Sequence, residues 1–256
     1  MTISLPMYDW PEVREATDEW GGGILRHMGK DGARLDHDPD YFAGWRRGDL
    51  FFSQTCGYPF THEFRGRFAY LATPHYSADG CEGADYCSFV FARENRPLAE
   101  FRGSRAAVNN PDSMSGMLAL KLVFTPFAKD GDFFSSVLES GGHVKSMIAV
   151  RDGKADLCSI DSVCVALARR YRPDYLDGLI EIARSPKVPG LPFVTAPGRD
   201  PAPLRLALDK AFADPVLAPA REALLLTGHS VLADGAYDRI LTLEDQMEQA
   251  GGLRLL

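Results

Sequence analysis

No stretch of this chain approaches the roughly 18 uncharged apolar residues that a membrane-crossing helix needs, so no membrane insertion is expected. Basic residues are the minority among the charged ones: 28 Lys+Arg against 35 Asp+Glu leave a formal charge of -7. A surface that gains affinity by neutralising phosphates needs the opposite sign, which excludes a general nucleic-acid binder. Cysteine is sparse, with 5 in 256 residues and no pair at C-x2-C spacing, so neither a disulfide framework nor a structural zinc site is expected. Cys81 and Cys87 bracket one loop and are spaced to close a small ring, while Cys158 and Cys164 sit in apolar runs as buried thiols.

Catalytic signatures are missing as well. The chain contains no G-x-S-x-G, no G-x-x-x-x-G-K-[ST], no G-x-G-x-x-G and no H-E-x-x-H, and the expectation is a protein that is not an enzyme and uses no cofactor or metal. The acidic run from Asp36 to Asp40 lacks the glycine and distal glutamate of a calcium loop and reads as a solvated turn leading into a helix. The N-terminus, MTISLPMYDW, has no basic start followed by an apolar stretch, so the chain as written carries no signal peptide.

What is present is an ordinary globular composition, 45% hydrophobic and 25% charged, in a length that suits one or two domains. Short apolar runs alternate with helix-like stretches in a βαβ rhythm, so the fold class is α/β. Val13, Ala16, Trp20, Ile24 and Met28 share one helix face, with Pro11 at its start and an expected break at Gly21-Gly22-Gly23. The Pro- and Gly-rich segment SPKVPGLPFVTAPGRDPAP reads as a crossing between two bodies. The remainder, PLRLALDKAFADP and then REALLLTGHSVLADGAYDRILTLEDQMEQAG, reads as helical with a Gly-containing turn. The expected organisation is a discontinuous lobe 1 of residues 1–93 and 190–256, an inserted lobe 2 of residues 97–186, and a ligand cleft between the lobes.

The most informative segment is AAVNNPDSMSGMLAL. A strand runs into an Asn-Asn-Pro turn, Ser113 stands at an N-cap position, and the amides of Met114, Ser115 and Gly116 are expected to be free at the helix start. Such an end attracts anions, and Gly116 has no side chain to block close approach. Gln54, Thr55 and Tyr58 follow the strand DLFF, and Tyr8 and Tyr76 fall at equivalent strand ends, where ligands of open sheets bind. His143 begins a helix after Gly141-Gly142 and, as a cation, would add charge to anion binding. Asp161 ends the strand ADLCSID and either caps the following helix or accepts a proton from a ligand.

These motifs, in order LPMYDW, SQTCGYP, ATPHY, GCEG, NNPDSMSG, SGGH, SID and GLPFVT, resemble the phosphate/phosphite/phosphonate-binding proteins of ABC transporters, which have the type 2 periplasmic-binding fold. The resemblance implies a two-lobed, monomeric solute-binding protein that closes over a small oxyanion and serves an ABC permease. It implies that Ser113, Ser115 and the amide of Gly116 hold the anionic head group with His143, and that Gln54, Thr55, Tyr58 and Tyr76 complete the shell. Met114 departs from the pattern, standing where members with well-formed phosphonate sites often have Thr or Ser. The family is periplasmic, while the absence of a leader leaves a cytoplasmic location open. Two rival readings also stay open: a cytoplasmic enzyme on the same fold, with His143 and Asp161 as acid and base, or a ligand sensor read by a partner.

Overall fold

In a computed structural model, which describes residues 2–32, 34–38 and 40–255, backbone contacts divide the chain into two units. The first comprises residues 1–77, 82–84 and 189–234, and the second residues 78–81, 85–188 and 235–256. This partition differs from the expected one in residues 78–81, 85–93 and 235–256, all of which fall in the second unit. The strand Ser88–Ala92 lies in the second unit because it pairs with Leu157–Asp161 on one side and Ile180–Arg184 on the other. The C-terminal helix Asp238–Gln249 belongs there too, packing against the helix Ala119–Phe124, where Lys121 Nζ bonds Glu248 Oε1 at 2.9 Å.

Among the described residues, the first unit carries a five-stranded sheet in the order Thr2–Ser4, Leu50–Gln54, Phe193–Thr195, Ala69–Tyr76, Leu226–Ser230. The first pair is parallel and the others antiparallel. Leu50–Gln54 is buried along its whole length, as a strand covered on both faces must be. The helix Arg14–His27 runs unbroken through its three glycines. Gly21 and Gly23 are sites of close packing instead of a break: a Cβ there would lie 2.4 Å from Leu35 Cδ1 and 2.3 Å from Leu217 Cδ1 respectively. An aromatic cluster of Trp45, Phe64 and Phe68 with Leu50 and Val194 covers one end of the sheet, and Trp45 Nε1 donates to Ser53 Oγ at 3.0 Å. Asp40 caps the helix Tyr41–Arg46 through the Ala43 amide, so the acidic run does lead into a helix; Pro39 within it lies outside the described residues. The segment Leu226–Ser230, expected to be helical, is a strand, because Ala69–Tyr76 offers it an open edge to pair with.

The second unit, again among the described residues, has a five-stranded sheet ordered Ser136–Glu139, Arg105–Val108, Leu157–Asp161, Ser88–Ala92, Ile180–Arg184. Arg105–Val108 is parallel to both of its neighbours, which requires crossovers, and these are the helices His143–Arg151 and the segment Met114–Phe124. Both therefore begin at the carboxyl ends of parallel strands, one after Val108 and one after Glu139. That arrangement brings Ser115 and His143 together.

Candidate anion-binding site

The turn after Val108 is fixed by backbone bonds: the Ser140 amide donates to Val108 O and the Gly141 amide to Asn109 O, both at 2.8 Å. The helix that follows opens as a π turn, Met114–Leu118, before becoming α-helical at Ala119–Phe124. Ser113 is its N-cap, and the Gly116 amide donates to Ser113 Oγ at 3.0 Å. The Gly116 amide is thus engaged by its cap; the first backbone bond into the helix runs from the Leu118 amide to Ser113 O, and among the described residues the amides of Met114, Ser115 and Met117 have no intrahelical acceptor.

Ser115 is buried, and its Oγ shares a 2.8 Å hydrogen bond with His143 Nε2. Its carbonyl is held from behind by the hydroxyl of Ser159, which donates at 2.7 Å. His143 starts its helix behind Gly142, and Ser140 Oγ ties this start down by donating to Gly142 O at 3.0 Å. His143 as a whole is half-buried, and its Nδ1 is enclosed with no hydrogen-bond partner among the described residues. Burial pushes His143 down to about 4, against a smaller opposing pull from the Ser159 backbone. At neutral pH the ring is therefore uncharged, and the expected cation is not there. With the proton on Nε2 the ring donates to Ser115 Oγ and leaves the serine hydroxyl proton for a ligand; with it on Nδ1 the serine donates to the ring instead.

The lowered value of His143 predicts a pH effect. Between the ordinary value of 6.5 and about 4 the unfolded chain binds a proton at His143 that the folded chain does not, so stability is lost as pH falls through that window. In His143→Gln that part of the slope disappears. Urea unfolding of both proteins at pH 7 and pH 5 measures it.

Asp161 is a helix cap: its Oδ1 accepts from the amides of Val163 at 2.7 Å and Cys164 at 3.3 Å. Met114 is fully buried and packs in the core. Asn109, which the sequence reading passed over, lies directly against Gly116, and its Oδ1 is enclosed without a partner. The proximity of Asn109 to the π turn follows from the turn's tertiary path and leaves no mark in the pattern of apolar residues.

In the first unit, Gln54 ends its strand and its Nε2 donates to Tyr76 OH at 3.0 Å and to Leu191 O at 3.1 Å. Tyr8, in the short helix Pro6–Tyr8, meets the Tyr76 ring edge-on at 5.3 Å. Tyr8, Gln54 and Tyr76 line a small, mainly apolar cavity with Leu5, Trp20 and Leu226, large enough for about one water molecule. Thr55 is buried beside them in sequence, its amide donating to Pro192 O. Tyr58 does not line that cavity; its ring stacks on His62 at 3.8 Å.

Residues 46–227 match the family model described as the periplasmic substrate-binding protein of phosphonate ABC transporters. The chain belongs to this family. No curated protein matches the sequence. Among solved structures, PhnD1 from Prochlorococcus marinus, in complex with methylphosphonate, is 12% identical with a TM-score of 0.76, covering 97% of this chain and 98% of that one. A binding-protein component of an ABC phosphonate transporter from Pseudomonas aeruginosa is 18% identical with a TM-score of 0.73, over 93% of this chain and 82% of that one. A Xanthomonas citri protein holding a chloride ion is 20% identical with a TM-score of 0.69, over 98% of each chain. These likenesses establish the type 2 periplasmic-binding fold for this member of the phosphonate-binding family.

Proposed function

We propose that this phosphonate-binding family member binds a small phosphorus oxyanion through the Met114 and Ser115 amides and the Ser115 hydroxyl, and delivers it to an ABC permease. The observation that carries the proposal is the 2.8 Å bond between Ser115 and a neutral His143 at the start of a helix, in a chain that matches the family model. In the proposed tautomer the neutral ring donates from Nε2 to Ser115 and turns the hydroxyl proton outward, so serine acts as a donor toward an anion, and the helix start adds its positive end. Gly116, capped by Ser113, contributes shape instead of an amide, and Asp161 supports the helix Ser162–Tyr171. Gln54, Tyr76, Tyr8, Thr55 and Tyr58 are proposed as further ligand-binding residues. Met114, buried in the core, supplies only its amide.

The family is a transport component, which accords with a binder. The chemistry of the pair accords too: a serine beside a histidine is the start of a nucleophile–base arrangement, but a ring held near 4 is a weak base at neutral pH. Export to the periplasm and a monomeric state belong to the same proposal and rest on the family. Among the described residues no helix is long and apolar enough to cross a membrane.

The test is a thermal-shift panel of phosphate, phosphite, methylphosphonate, 2-aminoethylphosphonate and sulfate on protein freed of ligand by unfolding and refolding. At about 100 times the dissociation constant, a ligand adds about 2.7 kcal/mol, which raises the midpoint by several degrees. A selective rise with one phosphorus oxyanion is the expected result. A flat panel overturns the proposal.

A further inference from the structure

The loop between the strands Ala69–Tyr76 and Ser88–Ala92 folds back on itself: the Cys81 amide donates to Ala78 O at 3.0 Å and the Cys87 amide to Gly80 O at 3.1 Å. With ordinary backbone dimensions, the second bond holds the Cα atoms of Cys81 and Cys87 within about 7 Å. Disulfides span roughly 4.4–6.8 Å between Cα atoms, so the backbone is already close to the required separation. The side chains converge as well. Cys81 Sγ lies 3.4 Å from Ser162 Oγ. Gly80 has a positive φ of 91°, and a Cβ on it would lie 3.0 Å from Cys87 Sγ and 3.0 Å from Ser162 Cβ. Both sulfurs therefore gather around Gly80 and Ser162, in a space that only glycine at position 80 leaves open. Both are free thiols in this structure.

We propose that Cys81 and Cys87 are joined by a disulfide when the protein folds in an oxidising compartment, closing a ring over residues 82–86. The proposal rests on the periplasmic reading for its oxidant. In the step, the two thiols lose two protons and two electrons and form one S–S bond, and the disulfide of a donor such as oxidised glutathione is reduced to two thiols. Closure belongs to folding: once the chain is folded, burial pushes the Cys81 thiol up to about 12 and raises that of Cys87, so neither supplies a thiolate readily. The remaining three cysteines stay as thiols, since Cys158 and Cys164 are buried and Cys56 belongs to the other unit. By backbone contacts residues 82–84 group with the first unit and both cysteines with the second.

Reduced, unfolded protein refolded in a mixture of reduced and oxidised glutathione tests the geometry. After alkylation under denaturing conditions, peptide mapping is expected to show Cys81 linked to Cys87, with Cys56, Cys158 and Cys164 alkylated. The unfolding midpoint of the linked form should exceed that of the dithiothreitol-treated form by about 5 °C. This difference should vanish in Cys81→Ser and in Cys87→Ala, which are both tested because Cys87 is buried. Alkylation of all five thiols after refolding, or a different pairing, overturns the proposal. Thiol trapping in intact cells then separates it from the reading of export: a linked pair supports both. Free thiols in cells, with a ring that closes in glutathione, overturn the disulfide in the cell through the compartment and not through the fold.

Discussion

Ser115→Ala is expected to weaken binding of the preferred phosphorus oxyanion at least tenfold while leaving the unfolding midpoint of the free protein within a few degrees. In the proposed tautomer the hydroxyl takes part in two interactions at once, accepting from His143 Nε2 at 2.8 Å and offering its own proton to the ligand. A hydrogen bond to a charged partner is worth about 1.5–3 kcal/mol, and about 1.4 kcal/mol is one factor of ten. The variant also leaves the buried Nε2 donor without its partner, so the ring is free to turn away. Ser113→Ala is the informative companion. It removes the acceptor of the Gly116 amide, which costs about 1 kcal/mol of helix capping, but it takes away no proposed ligand donor. Isothermal titration of both variants against the oxyanion chosen by the panel, beside their thermal unfolding, separates a ligand group from a cap. An unchanged dissociation constant in Ser115→Ala would remove Ser115 from the site.

Gly116→Ala should be costly for a different reason. The residue is glycine on steric grounds, not because of a left-handed backbone: an added Cβ would lie 1.8 Å from Asn109 Oδ1, 2.8 Å from Asn109 Cγ and 3.3 Å from the Asn109 amide nitrogen. The side chain of Asn109 can swing, but its backbone is pinned by the Gly141 amide. Overpacking of this kind costs about 1–3 kcal/mol, which lowers the unfolding midpoint by several degrees. Asn109 also sits at the turn that presents the helix start, so affinity for the oxyanion should fall along with stability. Combining Gly116→Ala with Asn109→Ala should recover part of the lost stability, a coupling that thermal unfolding of the two single variants and the double variant would measure. Additive losses would show that the clash is relieved elsewhere.

Much of this was legible in the residues themselves. Capping by Ser113 and Asp161, the strand Arg105–Val108 before an Asn-Asn-Pro turn and the helix beginning at His143 all follow from local rules about orphan amides and chain reversal. The charge of His143 was not legible, because it depends on how completely the folded chain encloses Nδ1, a property of distant residues. The same holds for Leu226–Ser230, which lacks the alternation of a half-buried strand and becomes one only because the edge of Ala69–Tyr76 is available. Gly21 and Gly23 looked like helix breakers on propensity. Packing against Leu35 and Leu217 outweighs the roughly 1 kcal/mol that each glycine costs a helix. The boundaries between the two units went astray for a related reason: strand pairing, not sequence proximity, decides that Ser88–Ala92 belongs with Leu157–Asp161.

The π turn at Met114–Leu118 gives the helix two phases. In a uniform α-helix each residue advances about 100°, so the orientation of Ser115 and the set of side chains that Ala119–Phe124 sends inward would be locked to each other. One residue of extra winding at the start releases that lock, letting the mouth of the helix be aimed at His143 while its body keeps a core-facing register. Ligand preference and core packing can then change by separate substitutions on the two sides of Leu118.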